Sequence, residues 1–579
     1  MGIAALAAVC TSIVGVLMFR LIQLITNLCY FGKFSFDYVP FSKSPLGWLA
    51  VLVPIGGSII VGLMARYGTE QIRGHGLPEA IEAILLGRSR LNLKVAILKP
   101  TSSSIVIGTG GPFGAEGPII MTGGAIGSLI AQWLPVSDVE RKTLLVAGAC
   151  AGMTIVFGTP VAAIMLALEL LLFEWTPRSL LPVATACVVA DILRSYTGLA
   201  DPLFPFTGVV TVSFYDAGAW VLVGICSGLL SGFLTRLVYA LEDGFHRLPI
   251  HWMWWPALGA VVVGIGGLVD PNVLGLGYAN IEALLRGDVD PGQGLSLLVV
   301  KTIVWSVALG SGTSGGTLAP LMMIGGAMAA AAVSLLPAAS PGFWPLLAMS
   351  ATLGGTLRLP LTATFFALGV TGNIHALLPL IVCCFTAHTV TVLLMRRDIL
   401  TEKVARRGHH VTREWHADPF ALAQVKDIMV KEVETVPATM TLHAATSFLT
   451  KPTTKHPSFP VVDAENHVLG ILNPPTVLAW RRAGRHRTST LAELLAEQRT
   501  PPVAYPDWYL ENLVEQMTKA NIAHVPVVSR EDQRLVGYIA WKDVLNVRSR
   551  RHEAESLRVA FHGVRNLNTH LQHKLRDPE

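Results

Sequence analysis

Residues 99–118 and 301–320 carry the same landmarks at a fixed separation of 202 residues (Lys99 to Lys301). Gly108 pairs with Gly310, Gly110 with Gly312, Gly114 with Gly316 and Pro118 with Pro320. Upstream, Gly74-His-Gly-Leu-Pro-Glu-Ala-Ile81-Glu82-Ala83 parallels Gly275-Leu-Gly-Tyr-Ala-Asn-Ile281-Glu282-Ala283. Downstream, Phe157-Gly-Thr-Pro160 parallels Arg358-Leu359-Pro360. Chance glycine matches are expected in a chain with 54 glycines, but a near-constant offset across three landmarks is not. The chain is an internal duplication, and a site built from it belongs where the halves meet.

The medium follows from charge. Only 14% of the 579 residues are charged and 52% are hydrophobic, against about a quarter charged in soluble proteins. Of the 44 Lys and Arg plus 39 Asp and Glu, 39 fall in the first 400 residues and 44 in the rest, which divides a membrane part from an aqueous tail. Leu46–Met64, Ala217–Leu234 and Trp252–Val269 are long enough to span a bilayer. Met1–Tyr30, apolar without a basic start or cleavage site, reads as a first membrane helix. Other apolar stretches are broken around Gly108, Gly158 and Gly310. Bilayers tolerate such breaks only where protein or a water-filled cavity satisfies the backbone, and breaks at matching positions of two halves point to a transport site.

Several classes drop out. The net charge of +5 contains no basic block that reads as a nucleic-acid surface. All seven cysteines lie in the apolar part without metal spacing or a disulfide framework, so no metal site is expected. The chain lacks H-E-x-x-H, G-x-S-x-G and Walker A sequences, which argues against an enzyme.

The densest chemistry is Gly108-Thr-Gly-Gly-Pro-Phe-Gly-Ala-Glu116-Gly-Pro118. Glycine at this density lets N–H groups turn toward one point, an anion nest at a helix N-terminus, and Glu116 is a carboxylate set inside it. Together with Gly74-His75-Gly76-Leu77-Pro78 and Gly316-Thr317-Leu318-Ala319-Pro320, the stretch resembles three ordered motifs of the CLC family of chloride channels and chloride/proton antiporters, here with a C-terminal pair of CBS domains.

The resemblance implies an all-α polytopic membrane protein. Residues 1–400 would form two inverted repeats of tilted, broken helices (about 1–200 and 201–400), in a homodimer with one pore per subunit. It implies that Glu116 is the gate: ionised, it occupies the anion path, and protonated, it swings out. A dehydrated anion needs helix ends and N–H donors rather than a trapping cation. The N–H groups of Ala115, Glu116 and Gly117 would form an outer site, those of Thr317 and Leu318 a central one, and His75 and Gly76 would line it. Lys99 is a cation in an apolar segment, so it either supplies positive potential to the pore or snorkels to an interface, and Lys301 is open to the same two readings.

Three departures from the family pattern matter. His75 stands where the family commonly has a serine hydroxyl, and it can donate one hydrogen bond or gain a charge. Leu170 occupies the place of the inner proton-relay glutamate, with Glu169 one residue earlier, about 100° around a helix. Leu400 falls where a late tyrosine hydroxyl is expected, with Thr401 as the nearest hydroxyl. Selectivity among chloride, nitrate, bromide and fluoride is left open. Loss of the relay favours passive, channel-like conduction of chloride or a related monovalent anion. The alternative is an antiporter with a non-standard proton path through Glu169 and His75, and a more distant rival is a nucleotide sensor with a degenerate pore.

Residues 401–418 form a basic linker, which favours a cytoplasmic tail and, with the short N-terminal segment, a bacterial inner (plasma) membrane. Residues 419–548 read as a tandem α/β CBS domain. Val425–Val430, Phe459–Val462 and Val468–Ile471 form one unit; Leu510–Met517, His524–Val528 and Leu535–Ile539 form the other. Adenine-nucleotide binding would use Asp543, but Ala540 stands where the family pattern has a hydroxyl, so a dimerising or gating scaffold without cofactor is the expectation. Residues 549–579 read as a polar tail.

Overall fold

In the computed structural model, α4 (Leu93–Gly108) stops at Gly108 and α5 (Glu116–Gln132) starts at Glu116, so residues 109–115 cross the interior as irregular backbone. The structure describes all residues except 86–88, 173–174, 200–201, 211–215, 396, 407–423, 451–455, 497–500 and 547–579. The chain folds as two units, residues 1–415 and 416–579. Most of the expected basic linker and the whole polar tail therefore lie outside the described residues.

The first unit repeats an eight-helix series. It runs α1 (Gly2–Thr26), α2 (Leu52–Tyr67), α3 (Leu77–Leu85), α4, α5, α6 (Asp138–Phe157), α7 (Pro160–Leu166) and α8 (Pro177–Arg194). The second pass runs α9 (Ala217–His246), α10 (Trp255–Val269), α11 (Tyr278–Arg286), α12 (Pro291–Gly310), α13 (Leu318–Ala331), α14 (Phe343–Leu357), α15 (Pro360–Thr371) and α16 (Leu377–Leu394), with α17 (Ile399–Arg406) last. Packing repeats too: α5 lies on α6 as α13 lies on α14, and α1 on α8 as α9 on α16. Like packs against like across the halves, α2 on α10 and α7 on α15, as a local two-fold requires.

Local sequence sets the ends. Ser137 and Glu140 form a reciprocal capping box at the start of α6, and Gly158 closes that helix at φ 67°. At the matching position Arg358 closes α14 at φ 56°, a conformation costly for a side chain, while its Nη2 donates to Thr391 O at 3.0 Å. Pro160 and Pro360 open α7 and α15, where a missing N–H costs nothing. Among the described residues six helices are long and apolar enough to cross a membrane, including Gly2–Phe31, Gly47–Tyr67 and Ala217–His246, while α13, α14 and α15 are shorter.

Small residues let these helices approach closely. A methyl added at Gly148 of α6 would sit 2.1 Å from the Gly123 carbonyl of α5, and one at Gly127 2.1 Å from that of Leu144.

In the second unit β1 (Val436–Pro437) pairs parallel with β2 (Phe459–Val462), which pairs antiparallel with β3 (Val468–Leu472). β4 (His524–Val528) and β5 (Leu535–Ala540) repeat the hairpin, and an Ala504–Val527 bridge stands where β1 stood. The motifs exchange arms: Val425 completes the core around Ala504 and Ile539, while Leu491, Leu494 and Leu495 complete that around Phe459 and Val461. This is the α/β pair expected from the sequence.

Overpacking at a helix contact costs about 1–3 kcal/mol. Gly148→Ala is therefore expected to lower stability by about that much in detergent unfolding. Gly56→Ala, inside α2 with nothing within 4 Å of its added methyl, is expected not to lower it and to raise it by up to about 1 kcal/mol.

Candidate functional site

The two irregular crossings meet as a single reciprocal bridge. Gly114 N donates to Gly316 O at 3.2 Å, and Gly316 N donates to Gly114 O at 2.9 Å. The bridge lies just ahead of α5 and α13, so their N-termini converge. First-turn N–H groups lack intrahelical acceptors and carry the positive end of the helix dipole.

Glu116 lies in this convergence. Its carboxylate folds back over both glycines: a methyl at Gly114 would fall 1.7 Å from Oε2, and one at Gly316 2.5 Å from it. Gly117 is equally confined, because an added methyl would meet the His75 carbonyl at 1.8 Å. Glu116 is fully buried, and neither carboxylate oxygen has a hydrogen-bond partner. The Glu116 and Ala319 N–H groups and the Tyr278 hydroxyl face it short of hydrogen-bond geometry. His75 Nδ1, Thr317 Oγ1 and Tyr278 Oη are also buried without partners. Buried polar atoms are nearly always satisfied; others without a partner occur elsewhere, as at Trp220 and Ser227, but among the described residues only here do they include both oxygens of a buried carboxylate, which calls for a functional explanation.

Two cavities approach this junction, one reaching Gly74 and the other its repeat mate Gly275. The first, about 800 Å³, is lined by Arg73, Gly74, Glu79, Met121, Gly312 and Lys403. The second, about 680 Å³, is lined by Asp37, Phe204, Gly275, Tyr278, Asn280 and Glu282. Glu116 faces Tyr278 in the wall of the second, while Gly117 packs on His75 beside Gly74 in the wall of the first.

The other candidates have defined places. Lys99 and Lys301 are fully buried rather than snorkelled. Lys99 Nζ donates to the carbonyls of Ile72 (2.8 Å) and Gly74 (2.7 Å), and Lys301 Nζ to that of Val273 (2.7 Å). Each lysine thus holds the loop before α3 or α11. Gly76 differs from expectation: its N–H donates to Glu79 Oε2 at 2.9 Å and is not available to an anion. Ala115 caps α5, and Thr317 caps α13 ahead of Leu318.

Glu169 accepts three hydrogen bonds at the start of α15, from Leu361 N (3.1 Å), Thr362 N (2.7 Å) and Thr362 Oγ1 (2.6 Å). Leu170 beside it is fully buried core. Leu400 is buried in α17, its N–H bonded to Asp398 Oδ1, and the Thr401 hydroxyl donates to Asp398 Oδ2 at 2.9 Å. In the second unit Asp543 Oδ2 accepts the Ala540 N–H at 2.9 Å, and Asn473 Oδ1 accepts the N–H and hydroxyl of Thr476, so both act locally as helix caps.

Sequence reasoning missed Glu79. Its Oε1 accepts Lys403 Nζ at 2.7 Å, and Lys99 lies close by, so one carboxylate compensates two cations, the buried Lys99 and the half-buried Lys403. The available signal was Lys99 itself, since a buried charge needs a partner.

The family model described as voltage gated chloride channel matches residues 56–392, and the CBS domain model matches 425–480 and 493–550. A ClcB-like relative from Ralstonia nicotianae is 28% identical over 59% of this chain and 82% of its own length. The voltage-gated ClC-type chloride channel ClcB of Escherichia coli is 26% identical over 67% of this chain and 95% of its own. The fold is similar to that of a slow cyanobacterial Cl-/H+ antiporter, with a TM-score of 0.62 and 22% identity, covering 70% of this chain and 97% of that one. It is also similar to a eukaryotic CLC transporter, with a TM-score of 0.55 and 17% identity, covering 93% and 95%.

Removing one member of a buried ion cluster costs about 3–5 kcal/mol, because the remaining charge is stranded. Glu79→Gln is expected to destabilise the protein by about that amount. Adding Lys403→Met should recover part of the loss, read as a non-additive double-mutant cycle in detergent unfolding.

Proposed function

This chain belongs to the voltage-gated chloride channel (CLC) family, and we propose that within it the chain is a passive, channel-like conductor of chloride or a related monovalent anion, gated by Glu116. Anion transport across a membrane is the family's activity. The observation that carries the finer reading is the buried Glu116 carboxylate, unpartnered between two converging helix N-termini where the repeats meet. These N-termini stabilise one negative charge at a time, and the buried Lys301, its ammonium bonded to the Val273 carbonyl, adds positive potential without an ion pair to Glu116. The carboxylate is the occupant when the path is closed, and a mobile anion takes its place when Glu116 is displaced. The N–H groups of Ala115, Gly117, Thr317 and Leu318 line that exchange, and His75 flanks it.

Passive conduction rests on the proton side. Leu170 has no titratable group, and Glu169 would have to release three hydrogen bonds at the start of α15 before it moved a proton. The second reading, proton-coupled exchange, is favoured by one observation: His75 Nδ1 is buried without a partner, next to Gly74 in the wall of the first cavity.

The protein is proposed to work as a homodimer in a bacterial inner membrane, with the CBS pair on the cytoplasmic side. Lys403 and Arg406 after the last apolar helix support that orientation. The capping roles of Asp543 and Asn473 favour a scaffold over a nucleotide sensor.

Purified protein in liposomes under a chloride gradient, followed by an added pH gradient, tests the coupling. The expected reversal potential follows chloride alone; a shift with pH would establish exchange instead. Glu116→Gln is expected to hold the path open, with anion flux higher than wild type at neutral pH and nearly independent of pH. Wild-type flux is expected to rise on acidification, as the protonated side chain leaves the path. A Glu116→Gln protein whose flux kept the wild-type pH profile would remove Glu116 as the gate.

A further inference from the structure

The duplication gives Gly76-Leu77 in one half and Gly277-Tyr278 in the other, so an aliphatic side chain and a phenol occupy matching positions. Tyr278 starts α11, and its ring is held by aromatic neighbours on three sides. Phe204 lies edge-on at 5.4 Å, and Phe19 and Phe157 are each at 6.3 Å. Part of the ring faces the 680 Å³ cavity, yet the hydroxyl is buried and has no hydrogen-bond partner. Buried tyrosine hydroxyls ordinarily find one. The charged groups near it are Glu116, whose two oxygens are equally unpartnered, and Arg194, whose guanidinium is bonded to the Ile155 and Val156 carbonyls.

We propose that Tyr278 is an anion ligand: its hydroxyl donates to the anion that replaces the Glu116 carboxylate, supplying the side-chain donor that Leu400 lacks. The inference rests on the Glu116 gate proposed above. Three features support it. The hydroxyls near Leu400 are committed elsewhere, with Thr401 Oγ1 bonded to Asp398. A neutral hydroxyl orients an anion without trapping it as a lysine would. The aromatic clamp fixes the ring, so the donor is positioned before the anion arrives.

The same hydroxyl faces whichever charge is present, the Glu116 carboxylate in the closed state or the anion in the open one. Its removal is therefore expected to weaken anion binding most clearly where Glu116 no longer competes. Asymmetry follows as well: the donor lies on the side of the second cavity, because Leu77 offers none on the other.

The test measures chloride affinity by calorimetry of the full-length protein in detergent, for wild type, Glu116→Gln, Tyr278→Phe and the double variant. Phenylalanine keeps the aromatic packing and removes only the hydroxyl, and a thermal melt checks folding. A hydrogen bond to a charged group is stronger than one between neutral groups, so the double variant is expected to bind chloride about tenfold more weakly than Glu116→Gln. Tyr278→His, which restores a donor, is expected to recover part of that loss, and this pair serves if the phenylalanine variant does not fold. Equal affinity in Glu116→Gln and the double variant overturns the Tyr278 assignment and leaves the gate intact. A Glu116→Gln protein with the wild-type pH profile and wild-type affinity overturns the gate itself, and the assignment with it.

Discussion

The hydrogen bonds exchanged by Gly114 and Gly316 fix the geometry on which the rest depends. These residues correspond to one another in the duplication, and corresponding residues that pair reciprocally must lie across a local two-fold. Their energy is ordinary, on the order of 1 kcal/mol each. Their consequence is positional. They bring the starts of α5 and α13 together inside the protein, where unpaired first-turn N–H groups find little water. Glycine is required on both sides, since any β-carbon there would collide with the Glu116 carboxylate.

On this near-symmetric frame the chemistry lies in the differences between halves. Lys99 and Lys301 do the same work, each holding the loop that precedes α3 or α11. Glu116 corresponds to Leu318, Glu79 to Asn280 and Leu77 to Tyr278. One half therefore carries the carboxylates and the other the phenol. The two cavities have the same ancestry and unlike linings, charged on the Glu79 side and more apolar on the Tyr278 side. A duplication supplies two convergent helix ends; divergence makes the pair directional.

Much of this was legible in the sequence because glycine and proline spacing records backbone breaks directly. The breaks at Gly108, Gly158 and Gly310 are helix ends in the structure, and the β-branched runs of the tail are strands. What spacing along the chain does not record is which distant groups meet. Glu79 and Lys403 are 324 residues apart, and no periodicity links them. Nor does spacing record that the Gly76 N–H is committed, because its acceptor is the side chain of Glu79, three residues on in the first turn of α3. Tyr278 is hidden for a related reason: the repeat aligns it with Leu77, but the direction of its hydroxyl is set by packing against Phe19, Phe157 and Phe204.

The two buried carboxylates near the junction are treated in opposite ways, and the contrast bears on mechanism. Glu79 is tied to Lys403 and to the Gly76 N–H, with Lys99 close by. Moving it would strand two cations and free an amide, so it is a fixed brace for the loop that ends in Gly76. Glu116 is equally buried but holds no hydrogen bond. What holds it in place is the helix-end field, with the buried Lys301 and the Tyr278 hydroxyl nearby, and that field acts on any anion. A gate of the kind proposed for Glu116 would not be bonded like Glu79, because each bond would add to the barrier against its displacement. Under the proposed gate, the absence of hydrogen bonds to Glu116 is what would let one negative charge replace another there without first breaking a bond.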